Sequence, residues 1–201
     1  MKSIKLIIFD VYGVLLNGGY PDTSRAISNK YGGNWRKIYK VLYGDFNKAA
    51  TREISQKEAW QKSIDFFKLP LSVEQIKSIH YGLMSPNKPV FKLADKLKRN
   101  HKILLLSKNT REQFSYLIEH EPIIKKTFRK NVINTWEYKL PKASKKTMEL
   151  ICKKFGVSPD EIAYVDDQND NLEEAKEMGV NTILYKNFRQ FEKDLGKLII
   201  A

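Results

Sequence analysis

Two kinds of hydrophobic pattern alternate along the chain. Short apolar runs of strand length end on a polar residue, and longer segments repeat apolar positions every three or four residues. The first run, Leu6, Ile7, Ile8 and Phe9, stops at Asp10, with Gly13 soon after. It predicts a buried strand that hands Asp10 to a loop. KILLLSKN ends in the same way at Ser107, and EIAYVDD at Asp166 and Asp167. NVINT over 131–135 is a weaker strand candidate, and VNTILY over 180–185 closes the set. Between the strands, VFKLADKLKRN, TREQFSYLIEHE, ASKKTMELICKKFG, NDNLEEAKEMG and FRQFEKDLGKLI carry helical periodicity, the third stopped by Gly156. Strands alternating with helices imply parallel connections. The expected fold class is therefore α/β: a doubly wound, three-layer parallel sheet of Rossmann-like form carrying an inserted small helical bundle.

The insert follows the first strand. Residues 16–23 hold two glycines and a proline and read as a hinge out of the core. From Thr23 to about Ser85 the pattern is helical, with no good strand candidate. TSRAISNKYGG and NWRKIYKVLYGDF predict two helices. Ser55 with Glu58, and Ser72 with Gln75, have capping-box spacing for two more. SPNKP over 85–89 marks the return to the core. The expected division is residues 1–18 and 87–201 for the α/β core and 19–86 for a helical cap, hinged near Asn17–Gly19 and Pro86–Pro89.

Composition narrows the function classes. With 42% hydrophobic and 29% charged residues in 201, the chain has the make-up of an ordinary globular protein. The formal net charge of +13 favours anionic partners. The basic residues are spread through the chain with glutamates between them, so nucleic acid is not indicated. Cys152 is the only cysteine, which excludes an intramolecular disulfide, and its place on an apolar helix face suits a packed thiol. No apolar run approaches the length of a membrane span. The N-terminal MKSIKLIIF reads as a strand rather than a signal peptide, and a cytoplasmic location is the default expectation. GVLLNGG lacks the lysine of a P-loop and the spacing of a dinucleotide fingerprint. Monomer and dimer are both left open.

The candidate chemistry lies at the strand ends, where open α/β sheets bind ligands. Asp10, Ser107, Asp166 and Asp167 converge there, together with Lys142 before a helix. Three carboxylates near one point repel one another unless a cation joins them, and hard oxygen ligands suit Mg²⁺. A carboxylate nucleophile, a metal, a lysine and a hydroxyl together suit a phosphoryl group, which the carboxylate can take up as an aspartyl-phosphate. Lys139, Lys145 and Lys146 rival Lys142 on residue type alone, and Asp170 reads as a helix cap or a surface acid.

LIIFDVYGV, LLLSKN, KASKKTMELICKKFGVSPDEI and YVDDQNDN occur in this order, with a helical insert between the first two. The chain thereby resembles the haloacid dehalogenase-like (HAD) hydrolase superfamily over essentially its full length. The resemblance implies Asp10 as nucleophile, Ser107 and Lys142 as catalytic partners, and a C1-type cap. It also implies Mg²⁺ held by Asp10, the backbone carbonyl of Tyr12, Asp166 and Asp167, with Asn171 in support. The look is nearest to the sugar-phosphate phosphatase and epoxide-hydrolase N-domain branch.

Three positions depart from the family pattern. Tyr12 stands where its phosphatases carry a second aspartate for acid–base catalysis; a phenol with a pKa near 10 donates a proton but is a poor base. Val14 replaces the common threonine. Lys108 stands where an asparagine often follows the serine, and Asn109 takes that role in a shifted loop. Tyr12 is also the residue that the family's metal-independent 2-haloacid dehalogenases carry, although their fourth motif lacks the paired acids.

The expected function is Mg²⁺-dependent hydrolysis of a small phosphomonoester through Asp10, slowed by Tyr12. The alternatives are a 2-haloacid dehalogenase and a weakly active member serving as a binding protein. The expected partner is a small anionic, phosphorylated molecule. Substrate choice is expected in the cap, from one or two of Arg25, Trp35, Arg36, Tyr39, Tyr43 and Arg52, with Arg25, Arg36, Lys108 and Asn109 as substrate-binding candidates.

Overall fold

Residues 3–200 are described in the computed structural model. In chain order the elements are β1 (Leu6–Asp10), β2 (Leu16–Asn17), α1 (Tyr20–Tyr31), α2 (Trp35–Ala50), α3 (Gln56–Phe67), α4 (Val73–Gly82), β3 (Ser85–Pro86), α5 (Lys88–Leu97), β4 (Lys102–Ser107), α6 (Arg111–His120), α7 (Pro122–Phe128), β5 (Val132–Asn134), α8 (Thr135–Tyr138), α9 (Lys145–Phe155), β6 (Ile162–Asp166), α10 (Glu173–Glu177), β7 (Asn181–Leu184) and α11 (Phe188–Ile200).

β1 is buried along its whole length because it lies at the centre of a five-stranded sheet ordered β5-β4-β1-β6-β7. Every neighbouring pair in that sheet is parallel. A strand covered on both faces must be apolar throughout, which is why β1 reads as a continuous run rather than an alternation. Ile7 and Phe9 pack on one face with Phe91 of α5, Leu117 of α6, Phe128 of α7 and Phe191 of α11. Leu6 and Ile8 pack on the other with Ile151 of α9 and Ala175 of α10. The fold is the expected α/β sandwich of three layers. Its winding reverses at β1 and β6, and these two adjacent strands end on Asp10 and Asp166.

The helices α1 to α4 have a core of their own around Trp60, with Ile27, Ile38, Leu42, Phe46, Ile64 and Ile76. Both capping boxes form as their spacing predicts. No described helix is long and apolar enough to cross a membrane.

Several elements differ from the sequence expectation. Helix α1 starts at Tyr20, inside the stretch read as hinge, because Pro21 falls in its first turn, where no N–H is needed. Gly18 and Gly19, at φ 90° and 111°, make the turn before it. The two crossings between core and insert pair with each other: Leu16 lies opposite Pro86 and Asn17 opposite Ser85, antiparallel. A two-residue ladder has no periodicity to read. Asn87 adds a hydrogen bond from Nδ2 to the Val14 carbonyl at 2.9 Å. The segment after β6 is a 3₁₀ turn at Asn169–Asn171 followed by the short α10, rather than one helix. Asn171 is drawn back there to Asp166, to which its Nδ2 donates at 3.0 Å.

His80 is buried among the rings of Tyr20, Trp60 and Tyr81. The Thr23 hydroxyl donates to the Gly19 carbonyl, so it accepts from His80 Nδ1 at 2.8 Å. Burial lowers the imidazole pKa to about 3. A depressed pKa means that the neutral ring contributes stability above the unfolded value, and that this contribution fades as the pH falls toward the folded one. Acidification from pH 7 to 4 is expected to cost about 3 kcal/mol through this residue alone. Thermal melts followed by tryptophan fluorescence should show a flatter pH dependence for His80→Gln than for the wild type, and an unchanged slope would remove His80 as the acid-labile element.

Candidate active site

The centre of the site is Lys142, which is only 3% exposed. Its Nζ donates to Asp10 Oδ1 and, at 2.7 Å, to Asp166 Oδ2. The lysine comes from the loop before α9, which is held in place by hydrogen bonds from Ser144 Oγ and Thr147 Oγ1 to the Pro141 carbonyl at 2.8 and 2.6 Å. Asp166 is saturated. It accepts also from the Tyr164 hydroxyl at 2.8 Å, the Gln168 N–H at 2.9 Å and Asn171 Nδ2 at 3.0 Å. Asp167 points into the open cleft, and one oxygen each of Asp10, Asp166 and Asp167 lie within 4.8 Å of one another. Gly13 makes room for this approach. At φ 84° it has the left-handed backbone that glycine favours, and a Cβ there would lie 2.2 Å from Asp167 Oδ2.

The electrostatics follow from this packing. Burial, then the charge of Asp166, raises Asp10 to about 7 despite Lys142. The same two causes raise Asp167 to about 6. For Asp166, burial acts upward but is outweighed by Lys142, Asn171 and the Gln168 N–H, which hold the carboxyl below its ordinary value. For Lys142, burial acts downward and is outweighed by Asp10, Tyr164 and Asp166, so the ammonium form is kept. Three carboxylates against one ammonium, two of them reluctant to ionise, make a donor set that fits a divalent cation.

Ser107, at the end of β4, accepts from Asn109 Nδ2 at 2.9 Å, which leaves its own proton free for a ligand in the cleft it lines. Asn109 is itself fixed by Asn134: its N–H donates to Asn134 Oδ1 at 3.0 Å and its carbonyl accepts from Asn134 Nδ2 at 2.8 Å. The cleft is a cavity of about 160 Å³, roofed by Tyr20, Tyr39 and Tyr43 from α1 and α2. Cap and core meet around it through Tyr43, whose hydroxyl donates to Gln168 Oε1 at 2.7 Å, and through Tyr20, which exchanges hydrogen bonds with Gln113 at 2.8 and 3.1 Å.

Of the residues expected at the site, Asp10, Tyr12, Ser107, Lys108, Asn109, Lys142, Asp167 and Asn171 line this cleft. Asp166 lies beneath it, fully buried. Tyr12 is turned aside: its hydroxyl donates to Met84 Sδ at 3.7 Å. Burial first, then Tyr81 and Asp10, push its pKa well above the ordinary value. Arg25 and Arg36 do not reach the cleft. Their guanidinium groups stack on Trp35 at 4.4 and 4.7 Å, and Arg25 pairs with Asp22 at 2.8 Å. Trp35, Tyr39 and Tyr43 share one stripe of α2, but the stripe meets the cleft only from Tyr39 onward, so the arginines find the aromatic ring at its far end. Tyr164, Gln168, Asn134 and Tyr20 are site residues that the sequence reading missed. Tyr164 had a signal, since it sits two residues before Asp166 on one face of a strand. The others meet the site only through tertiary contacts.

No curated protein sequence matches the chain. Among solved structures, a HAD family enzyme from Bacteroides thetaiotaomicron, in complex with magnesium and inorganic phosphate, is 19% identical with a TM-score of 0.70 over 92% of this chain and 95% of that one. A predicted HAD-like family hydrolase from Porphyromonas gingivalis is 17% identical with a TM-score of 0.77, all of both chains being covered. The L-2-haloacid dehalogenase from Xanthobacter autotrophicus, with chloropropionic acid covalently bound, is 18% identical with a TM-score of 0.68 over 98% and 84%. At such identities the likeness is one of fold. Residues 4–179 match the haloacid dehalogenase-like hydrolase family, and the chain belongs to it.

Proposed function

We propose that this protein is a Mg²⁺-dependent hydrolase of a small phosphomonoester, of the sugar-phosphate kind, acting through an aspartyl-phosphate on Asp10. The observation that carries this reading is the cluster of Asp10, Asp166 and Asp167, with one buried lysine bridging the first two. The Bacteroides thetaiotaomicron relative, in complex with magnesium and inorganic phosphate, supports it. Asp10, Asp167 and the Tyr12 carbonyl would hold the cation, and Asp166 would join them on giving up one of the hydrogen bonds it accepts from Lys142, Tyr164, Gln168 and Asn171. When bound, Mg²⁺ cancels carboxylate charge and draws electron density from the phosphoryl oxygens.

The chain's own groups then divide the work. Lys142 holds the Asp10 carboxylate by one oxygen. An Asp10 oxygen attacks phosphorus; the new O–P bond forms as the ester P–O bond breaks, and the electron pair leaves on the substrate oxygen. Ser107, its oxygen already accepting from Asn109, donates a hydrogen bond to a phosphoryl oxygen and keeps its proton. The leaving oxygen takes its proton from water, because the Tyr12 hydroxyl is turned to Met84 Sδ. Water must then attack the phosphoenzyme without a base at position 12, so this second step is slow.

Tyr12 favours a second reading, displacement of halide from a 2-haloacid by Asp10, and the Xanthobacter autotrophicus relative holds chloropropionic acid covalently. The paired Asp166 and Asp167 weigh against it, since an incoming carboxylate would meet two further acids. Halide release from 2-chloropropionate in the presence of chelator would decide for that reading. A protein that turns over neither substrate class while still holding a ligand would be the third alternative, a binding protein.

Two outcomes are expected. In the metal-free protein at pH 6, Asp10 is largely protonated and Asp167 partly so, by virtue of pKa values raised to about 7 and about 6. Mg²⁺ displaces those protons, so its affinity should rise about tenfold or more between pH 5.5 and 7.5. Calorimetric titration in buffers of different ionisation enthalpy should detect the proton release. Gly13→Ala should weaken the same binding by displacing Asp167. Absence of Mg²⁺ binding at millimolar concentration would end the metal-dependent reading. Secondly, the phosphoenzyme should accumulate in the wild type and be seen by intact-mass spectrometry of quenched protein. Tyr12→Asp should raise turnover by roughly 10²-fold and abolish that accumulation, whereas Asp10→Asn should remove both activity and adduct. A Tyr12→Asp protein no faster than the wild type would show that position 12 does not limit the rate.

A further inference from the structure

We infer that the chamber beside the catalytic cleft is a subsite for a second anionic group, a carboxylate or a phosphoryl, on the leaving-group side of the substrate. This rests on the phosphomonoesterase reading and narrows its substrate class. The chamber has a volume of about 630 Å³, and Tyr43, Lys108, Lys142 and Gln168 wall both it and the cleft. The hydrogen bond from Tyr43 to Gln168 stands where the two join. A substrate too long for the cleft therefore has a neighbouring space into which its leaving group can extend.

The charge lining that space is lopsided. Besides Lys142 it is bordered by Arg52, Lys108 and Lys139, against the single carboxylate of Asp170. Lys108 is half-buried, with its ammonium 5.6 Å from the centre of the Tyr43 ring, and among the described residues no carboxylate pairs with it. Lys139 is exposed and likewise has no carboxylate partner among the described residues. The guanidinium of Arg52 lies over the Trp136 ring at 3.7 Å and donates to the Trp136 carbonyl, contacts that fix it, and it shares the charge of Glu137 with Arg111. Glu137, the next residue, is taken by Arg111, which holds it through two hydrogen bonds at 2.9 and 2.6 Å. Lys108 and Lys139, cations without paired acids at a concave, partly apolar space, raise the positive potential in it. Leu140, Pro141 and Ala143 supply the apolar part, which suits the carbon skeleton between two anionic ends.

The test compares matched phosphate esters in two-carbon and four-carbon series. Each series contains an alkyl phosphate, its ω-carboxylate and its ω-phosphate, assayed with Mg²⁺ for kcat and KM at low ionic strength. In at least one series, one of the doubly anionic esters should show a KM about tenfold below that of the neutral-tailed ester, with the difference shrinking as salt is added. Which of the two it is separates a carboxylate from a phosphoryl subsite. Lys139→Asn removes the charge while keeping a residue type that tolerates the left-handed backbone found there, at φ 55°. Combined with Lys108→Gln, it should bring the KM ratio to about one, and Lys139→Arg should retain the preference. A wild-type ratio of one in both series, or a ratio that survives the double variant, overturns the subsite and leaves the phosphomonoesterase reading standing. Failure to hydrolyse any of the esters overturns both.

Discussion

The site depends on a lysine ammonium buried between two carboxylates. Lys142 bridges Asp10 and Asp166, and all three are nearly or fully hidden from solvent. Removing one member of such a group strands a charge in a poor solvent and typically costs about 3–5 kcal/mol. The rest of the architecture answers to that cost. The parallel sheet brings the ends of β1 and β6 together. The Pro141 loop, held by Ser144 and Thr147, carries the lysine in from a third direction. Tyr164, Gln168 and Asn171 use up the remaining acceptor capacity of Asp166. With Asp167 added, the set keeps a formal excess of negative charge, of the size that one divalent cation cancels.

Most of this was legible in the sequence where the signal is local. The five core strands, both capping boxes and the convergence of Asp10, Ser107, Lys142, Asp166 and Asp167 each rest on a short pattern or on a strand end, and the structure has them. What was not legible depends on distant partners. The β2–β3 ladder is two residues long and exists only because its halves meet across the whole insert. Helices α7 and α8 are too short to show a period. Arg25 and Arg36 carry the charge that suits a phosphate, but residue type does not say which end of a helix faces a cleft, and they are stacked on Trp35. Tyr20 sat in a stretch that Gly18, Gly19 and Pro21 made look like a loop, yet it roofs the site.

Tyr12 joins the chemistry to the packing. Its ring lies against the Gly19 turn, where a Cβ on the glycine would be 3.6 Å from Tyr12 Cδ1, and its hydroxyl reaches Met84, just before the return strand. His80 of the cap is a further ring neighbour at 6.2 Å. A side chain that meets both crossings fills space that a short carboxylate would leave open. Position 12 thus carries an aromatic brace at the base of the cap.

The paired crossings also bear on how the chain acquires its structure. Leu16 and Asn17 lie beside Pro86 and Ser85, so the insert begins and ends at one point of the core. Were the intervening chain disordered, bringing those ends together would carry the closure entropy of a long loop, growing with the logarithm of its length. The insert escapes most of that cost because α1 to α4 gather around Trp60 through contacts close in sequence. Condensed first, they would present the two crossings side by side, and β1 would find β4 as if joined to it by a short connection. A cap that condensed first would thus be not only a roof over the cleft but a short bridge between two segments of the central sheet that are distant in sequence.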